Sequence, residues 1–195
     1  MSVRIALPAD LDATSSLARR SLPLSEWHSF ERPNGNRVPQ HVKYCYNQGH
    51  RSALGDDRKI FTVIEASDEE SDPTEEIVGF AIWTLAANQP SRVTPVELDF
   101  EFSRDRNVHQ YRAMLLYRAR FAIEPLYFRN GYGSRLFEYA IKIAREDGVR
   151  IGVVANLSVS GLYDKLGFMT KEEIRVEDDS PAAIASTAVY VKEWQ

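Results

Sequence analysis

The most constraining feature of the chain is a strand, a two-glycine turn and a helix that follow one another without interruption between residues 121 and 144. The strand is the apolar run Phe121–Ile123, and the turn holds Gly131 and Gly133. Glycine adopts backbone angles that a side chain forbids, so successive N–H groups of such a turn point at one ligand. The helix that follows adds partial positive charge at its N-terminus. The sequence therefore predicts a backbone cradle for an anion.

A second segment with a related pattern follows the first. An apolar strand ends at Asn156, and a short helix is predicted to carry Tyr163 before a Gly167-Phe168 pair. The first segment alone is weak evidence, because G-x-G occurs in many loops and a dinucleotide-binding turn needs a third glycine where this chain has Leu136. A dinucleotide-binding fold is therefore disfavoured, and the two segments together are the stronger signal.

Together the two segments resemble the GNAT superfamily of acyl-CoA-dependent N-acetyltransferases. The family's cofactor turn is an apolar strand, a Pro and then R/Q-x-x-G-x-G/A leading into a helix, and its later signature is an Asn at a strand end, a Tyr and a Gly-Phe pair. The matching residues here are Ile123, Pro125, Gly131, Gly133, Asn156, Tyr163, Gly167 and Phe168. The resemblance implies an α/β fold of GNAT type, with a mixed, mostly antiparallel central sheet, flanking helices and a splayed strand pair.

One position departs from the family pattern. The Arg or Gln three residues before the first glycine is Phe128 here, so its side-chain contact is lost or supplied by Arg129. Main-chain N–H groups do most of the binding in such a cradle, so the match survives the change. The resemblance implies acetyl-CoA as cosubstrate, and the expected cofactor-binding residues are Phe121, Ile123, Phe128, Arg129, Asn130, Gly131, Tyr132, Gly133, Ser134, Asn156 and Tyr163.

The resemblance also implies a mechanism. Strands at 117–123 and 151–155 are expected to splay, with the pantetheine arm bonded between them. The backbone N–H of Ile123 is expected to stabilise the oxyanion as an amine attacks directly. Tyr163 is expected to protonate the departing thiolate, with a core aromatic as its alternative role. Asn156 either bonds the pantetheine amides or caps the following helix.

The general base stays open at this point. An amine attacks only when it is unprotonated, so a carboxylate, a His or a water chain must take its proton, or the amine must arrive neutral. The candidates, which the sequence does not rank, are Glu97, Asp99, Glu101, His109 and Glu124.

Length and composition indicate one soluble domain over residues 1–195. A chain of this size buries roughly 70% of its unfolded surface. The net charge of -4 argues against general binding to nucleic acid or anionic membranes, and no signal peptide or membrane span is expected. The single cysteine, Cys45, excludes an internal disulfide and suits a reducing compartment. We expect a cytoplasmic protein, and a nuclear location stays open.

Outside the two segments the pattern is simpler. A strand is predicted over 3–6 and a helix over 10–22, whereas 23–57 is aromatic and polar with no clean period. In the GNAT family the region that corresponds to residues 23–57 usually builds one wall of the acceptor site. Antiparallel strands are predicted over 60–66 and 77–85, joined by an acidic loop.

Two charge patterns bear on ligands. Glu97, Asp99 and Glu101 share one face of a strand predicted over 96–102, and that face either attracts a cationic amine or meets solvent. Residues 104–135 hold seven arginines against two acids, an excess that suits the phosphates of coenzyme A. The arginines are Arg104, Arg106, Arg112, Arg118, Arg120, Arg129 and Arg135.

Metal sites are disfavoured, and no metal is expected. The acidic loop lacks the ligand spacing of a calcium loop, and His41, Cys45 and His50 lack a second paired zinc motif. The expected activity is acetyl transfer from acetyl-CoA to a primary amine of a small molecule or peptide in a ternary complex. The alternative is a non-catalytic acyl-CoA-binding sensor or interaction domain. A nucleic-acid partner is disfavoured, and a homodimer stays open.

Overall fold

The computed structural model describes residues 1–24, 28, 32, 34–66, 76–84, 120–147, 150–176 and 187–194. The strands in these ranges are β1 (Ser2–Ile5), β2 (Lys59–Ala66), β3 (Glu76–Thr84), β4 (Arg120–Ile123), β5 (Ile151–Asn156), β6 (Met169–Val176) and β7 (Thr187–Trp194). The α-helices are α1 (Leu11–Ser21), α2 (Pro39–Leu54), α3 (Tyr132–Asp147) and α4 (Leu157–Lys165). Short 3-10 turns cover Pro8–Asp10, Leu22–Leu24, Gly35–Arg37 and Pro125–Tyr127.

The described strands form two antiparallel sheets. The first has the order β1-β2-β3-β4 and the second the order β5-β7-β6. Each pairing of described strands is antiparallel. Among the described strands, β4 and β5 therefore each lie at the edge of their own sheet. This separation is the splayed strand pair that the resemblance implies.

Helices cover both faces of the first sheet. Leu17 of α1 and Val42 of α2 pack with Phe80 and Ala122 on one face. Leu136 of α3 packs with Ile123 on the other. Because side chains alternate along a strand, the short strand β4 contributes to both cores. The expected α/β fold with flanking helices is confirmed.

Helix α3 joins the two sheets through one aromatic side chain. The Phe137 ring centroid lies 4.9 Å from that of Trp83 and 5.0 Å from that of Phe121, both in the first sheet. It also lies 5.0 Å from the Tyr163 ring and 6.0 Å from the Phe168 ring, which belong to the second half of the fold. Phe121 of β4 and Val153 of β5 thus border one core cluster, and we use the name β4–β5 cleft for the region between these two strand edges.

The prediction that residues 23–57 lack a regular period was wrong, because α2 spans Pro39–Leu54. Its buried residues are Val42, Tyr46, His50 and Ala53, which follow helical spacing. Two of the four are polar enough to hide the apolar stripe in a hydropathy pattern. Two residues in the sequence mark the ends of α2: the Pro at its first position and Gly55 after its last.

His50 is the most completely buried ionisable group on α2. It is 0% exposed, and its ring lies edge-on to Phe61 and Phe80 at centroid distances of 5.3 and 4.8 Å. Its Nδ1 lies 3.1 Å from the Thr14 hydroxyl. Burial, with a smaller contribution from the charge of Arg120, lowers the pKa of His50 from 6.5 to about 3. The folded protein therefore holds this imidazole neutral.

We expect this neutral histidine to make stability depend on pH. Between a folded pKa of about 3 and an unfolded value of 6.5, the unfolded chain binds a proton that the folded chain does not. The free energy of unfolding should therefore fall as pH drops below 6.5, with a limiting slope of about 1.4 kcal/mol per pH unit from this group. Urea melts between about pH 4.5 and 6.5 measure the slope, a window above the ordinary range of the aspartates.

The matched variants are His50→Gln, which removes the buried imidazole, and His41→Gln, which removes a half-buried imidazole on the same helix. The slope should flatten in the first variant and persist in the second. An equal slope in wild type and His50→Gln would contradict this account.

Several sequence-based predictions fall outside the described residues. These are the acidic loop at 67–76 except its last residue, the strand over 96–102 with Glu97, Asp99 and Glu101, the candidate base His109, and the arginines Arg104, Arg106, Arg112 and Arg118. Across the ranges that are described, no helix combines the length and apolar character needed to cross a bilayer.

Candidate active site

The open edge of β4 presents main-chain groups to the β4–β5 cleft. The Glu124 N–H donates to the Val78 carbonyl at 2.7 Å, and Ile123 stands opposite Gly79 in the antiparallel register. Hydrogen-bonded and non-bonded pairs alternate along such a ladder, so the N–H of Ile123 points away from β3. On that side of β4 no other described strand pairs with it. The Ile123 N–H is therefore directed to the open side of β4, away from β3.

The turn after β4 is shaped by two left-handed residues. After the 3-10 turn Pro125–Tyr127, Arg129 has φ 64° and Gly131 has φ 84°. Arg129, Asn130 and Gly131 are exposed, and Phe128 is 45% exposed. A Cβ placed on Gly131 would meet no atom within 4 Å, so the site is open to a ligand. Gly131 is required by its backbone angle and not by crowding from the protein.

The first turn of α3 supplies the donors of this cradle. The Arg135 N–H closes the first helical hydrogen bond on the Gly131 carbonyl at 3.0 Å. The N–H groups of Tyr132, Gly133 and Ser134 precede that bond and have no partner within the helix. They lie next to the open space at Gly131, where the helix dipole favours negative charge. The geometry fits a phosphate-bearing ligand.

Gly133 stands where three elements meet. A Cβ there would lie 3.1 Å from Cζ of Phe121 on β4 and 3.5 Å from Cδ2 of Leu162 on α4. The turn, the β4 edge and α4 are therefore packed at one point. The two sequence segments come together at the start of α3.

Tyr163 is fixed by the way α4 ends. The Phe168 N–H donates to the Tyr163 carbonyl at 3.0 Å and the Gly167 N–H to the Asp164 carbonyl at 3.1 Å, with Gly167 at φ 85°. This is a Schellman motif, in which the side chains at its two ends make contact. Here they are Tyr163 and Phe168, whose ring centroids lie 5.5 Å apart. The Tyr and Gly-Phe positions of the sequence signature are thus parts of one helix end.

Tyr163 itself is 5% exposed. Burial raises the pKa of its hydroxyl well above the ordinary tyrosine value. The group therefore stays protonated throughout the physiological range and holds a proton to donate. Its aromatic contacts also fit the alternative role as a core residue, so activity measurements have to separate the two.

Asn156 occupies the N-cap position of α4 with extended backbone angles, φ -78° and ψ 168°. Its side chain makes no capping hydrogen bond. Capping by this side chain, which was one of its two expected roles, is therefore not seen. The half-buried amide sits at the carboxyl end of β5, beside the cleft.

The excess of arginines over residues 104–135 suggested a cluster at the cradle, but the described arginines do not all lie there. Arg129 and Arg135 are exposed at the turn and the first turn of α3. Arg120, at the other end of β4, lies 5.6 Å from the centre of the Tyr46 ring on α2. Alternation along β4 directs it to the face of α2, because it shares the parity of Ala122 and not of Ile123.

Glu124, one of the candidate bases, is engaged in an ion pair. Both of its carboxylate oxygens accept hydrogen bonds from the Arg20 guanidinium, at 2.6 to 3.1 Å. The Arg20 guanidinium therefore occupies part of the acceptor capacity of this carboxylate and holds its orientation. Sequence reasoning missed Arg20, since a pair 104 residues apart leaves no local pattern.

The residues of the zinc hypothesis have other contacts. His50 faces the aromatic core and Thr14, while Cys45 Sγ and His41 Nε2 lie 3.5 Å apart on α2. In the part of the chain that the structure describes, no group of three or more His, Cys, Asp or Glu side chains is arranged to hold a metal ion.

Comparison with known proteins identifies relatives of this fold. A fungal protein from Stachybotrys chartarum named "Acetyltransferase" is 25% identical over 97% of this chain and 90% of its own length. The ribosomal-protein-S18-alanine N-acetyltransferase from Escherichia coli has a TM-score of 0.59 at 15% identity, with 98% of this chain and 91% of that chain covered.

A PaiA N-acetyltransferase from Thermoplasma acidophilum, solved in complex with coenzyme A, has a TM-score of 0.57 at 16% identity, with 100% of this chain and 98% of that chain covered. The model of the acetyltransferase (GNAT) family matches residues 23–168, well over half of the chain. The protein is therefore a member of the GNAT acetyltransferase family, an N-acetyltransferase by family and fold.

Proposed function

We propose that this protein transfers an acetyl group from acetyl-CoA to a primary amine by direct attack in a ternary complex. The observation that carries the proposal is the outward-facing N–H of Ile123 on the open edge of β4. It lies on the strand that leads directly into the anion cradle. Tyr163 supplies a protonated hydroxyl from the neighbouring segment. The side chains of Ile123 and Tyr163 both pack on α3.

The cradle supports the cosubstrate assignment. The N–H groups of Tyr132, Gly133 and Ser134 and the exposed residues Arg129 and Asn130 would hold the pyrophosphate of coenzyme A. Phe121 and Ile123 on β4 and Asn156 at the end of β5 would hold the pantetheine arm through main-chain and amide groups. Bound acetyl-CoA supplies the acetyl group as an activated thioester.

The catalytic proposal assigns two tasks to this chain. The Ile123 N–H donates to the thioester carbonyl oxygen and stabilises the negative charge that develops there as the amine attacks. The Tyr163 hydroxyl gives its proton to sulfur as the carbon–sulfur bond breaks, so that the thiol leaves neutral. The proton of the amine goes to a base outside this pair. Among the candidate bases Glu124 is disfavoured, because Arg20 already engages both of its carboxylate oxygens.

Two-substrate initial rates test this proposal. Direct attack in a ternary complex requires both substrates to be bound at once, so double-reciprocal plots at several amine concentrations should intersect. Parallel lines, or acetyl-CoA cleavage that leaves a stable acetyl-enzyme, would contradict direct attack.

The alternative, a non-catalytic acyl-CoA sensor, is favoured by one residue, Phe128, which stands where the family has Arg or Gln. If Phe128 only weakens the phosphate contact, then Phe128→Arg should tighten binding of coenzyme A by roughly threefold to tenfold. The side chain is 45% exposed, so the fold should accept the change. Isothermal calorimetry at two salt concentrations measures it, because an added phosphate contact is salt-sensitive.

Leu126→Arg is the matched control, since it adds the same charge at an 87% exposed position two residues away. Equal tightening in both variants would show a general charge effect and contradict a specific role for position 128.

A further inference from the structure

An ion pair anchors the junction between β4 and the cradle to the opposite face of the sheet. Glu124, the residue after Ile123, is 8% exposed and receives the Arg20 guanidinium from α1. The Arg20 Nε donates to both oxygens at 3.1 and 2.9 Å, and Nη2 donates to Oε2 at 2.6 Å. The planar guanidinium thus fixes both the position and the rotation of the carboxylate.

A second set of contacts holds the far side of the same junction. The Tyr127 hydroxyl donates to Oε2 of Glu76, at the start of β3, at 3.3 Å. The Tyr127 ring then lies edge-on to Tyr132, the first residue of α3, with centroids 5.3 Å apart. The five-residue stretch from Ile123 to Tyr127 is therefore tied to α1 at one end and to β3 and α3 at the other.

We propose that Arg20 is a positioning residue for acetyl transfer, acting through Glu124 to aim the Ile123 N–H. The inference rests on the proposed function. Glu124 is the residue at which β4 leaves the sheet, and its own N–H is the last ladder bond to β3, on the Val78 carbonyl at 2.7 Å. The Glu124 N–H shares its peptide plane with the Ile123 carbonyl, so the ion pair fixes the backbone on the carboxyl side of the Ile123 Cα, and the plane that carries the Ile123 N–H is joined to it at that Cα. The Ile123 donor is one residue upstream and has no strand on its open side, among those described, to hold it.

Stability alone does not account for this arrangement. The Arg20 side chain is 43% exposed, so solvent screens part of the ion pair, although removal of Arg20 also leaves the buried Glu124 carboxylate without this partner. The rate of acetyl transfer is more sensitive than the free energy of unfolding, because a small misplacement of a hydrogen-bond donor lowers the rate strongly. Arg20 should therefore matter to turnover more than to folding.

The test compares Arg20→Met and Arg20→Lys with wild type. The first removes the charge, and the second keeps it but loses the planar fork. Arg150→Met is the control, because it removes the arginine of a more exposed ion pair, with Glu193 at 3.1 Å, at the other sheet. Thiol-release kinetics give kcat and KM for acetyl-CoA, and urea melts give the folded fraction.

We expect kcat to fall about tenfold in Arg20→Met and by a smaller factor in Arg20→Lys, with KM for acetyl-CoA within about twofold. Arg150→Met should keep wild-type kcat. If the folded Arg20 variants retain kcat within twofold, the inference is wrong and the proposed function stands. If wild type itself shows no amine-dependent release, the proposed function fails and this inference with it. A loss of kcat matched by an equal loss of folded protein would show a structural role and also overturn it.

Discussion

Replacement of Tyr163 by Phe is expected to lower kcat by about 10²- to 10⁴-fold while changing KM for acetyl-CoA little. The substitution keeps the ring that packs against Phe137 and Phe168 and removes only the hydroxyl. Burial raises the pKa of that hydroxyl, so the wild-type enzyme should not lose activity through this group as pH approaches the ordinary tyrosine value of about 10. Steady-state rates of the purified variant across pH measure both effects.

The matched control is Tyr139→Phe, which removes a hydroxyl from a half-buried tyrosine on α3. It should leave kcat unchanged. A core aromatic whose hydroxyl takes no part would give the opposite pattern for Tyr163→Phe, with near-normal turnover and a small change in stability. A kcat within twofold of wild type at every pH would exclude the acid role.

Replacement of Gly131 by Ala is expected to weaken coenzyme A binding at least tenfold. The residue has φ 84°, an angle that costs an L-residue roughly 1–2 kcal/mol. The free turn relieves that strain by moving away from this conformation, and the first-turn N–H groups of α3 then cease to converge. No neighbouring atom blocks the added methyl, so the protein should stay folded. Calorimetry with coenzyme A measures the loss.

Gly152→Ala is the control for that experiment. Gly152 is exposed on β5, and a Cβ there also meets nothing within 4 Å, but its φ is not positive. Its affinity for coenzyme A should match wild type. Unchanged affinity in Gly131→Ala would mean that the cradle lies elsewhere.

The parts of the site that depend on neighbours in sequence were predictable. The turn at Gly131, the helix after it and the Tyr163 to Phe168 helix end each rest on backbone angles and short-range bonds, which local residue types determine. Their meeting at Gly133 was implied only by the family resemblance. No local pattern brings Phe121 and Leu162 to the same glycine.

The parts that depend on distant partners were not predictable in the same way. The sequence shows how many arginines precede the turn but not where they point: Arg120 lies on the face of α2, because a strand sends alternate side chains to opposite sides. The ion pair of Glu124 with Arg20 joins residues far apart in sequence, so the candidate base was named without it. Helix α2 was missed since Tyr46 and His50 occupy its buried face, and their burial depends on hydrogen bonds and ring contacts that hydropathy does not record.

The most direct test of the account is thiol release from acetyl-CoA over a panel of amines that includes small amines, amino acids and peptides with free N-termini or lysines. The account predicts that at least one amine produces release well above the rate without amine, and that the product carries the acetyl group on nitrogen. Tight binding of acetyl-CoA with no amine-dependent release across the panel would contradict it and support the sensor function.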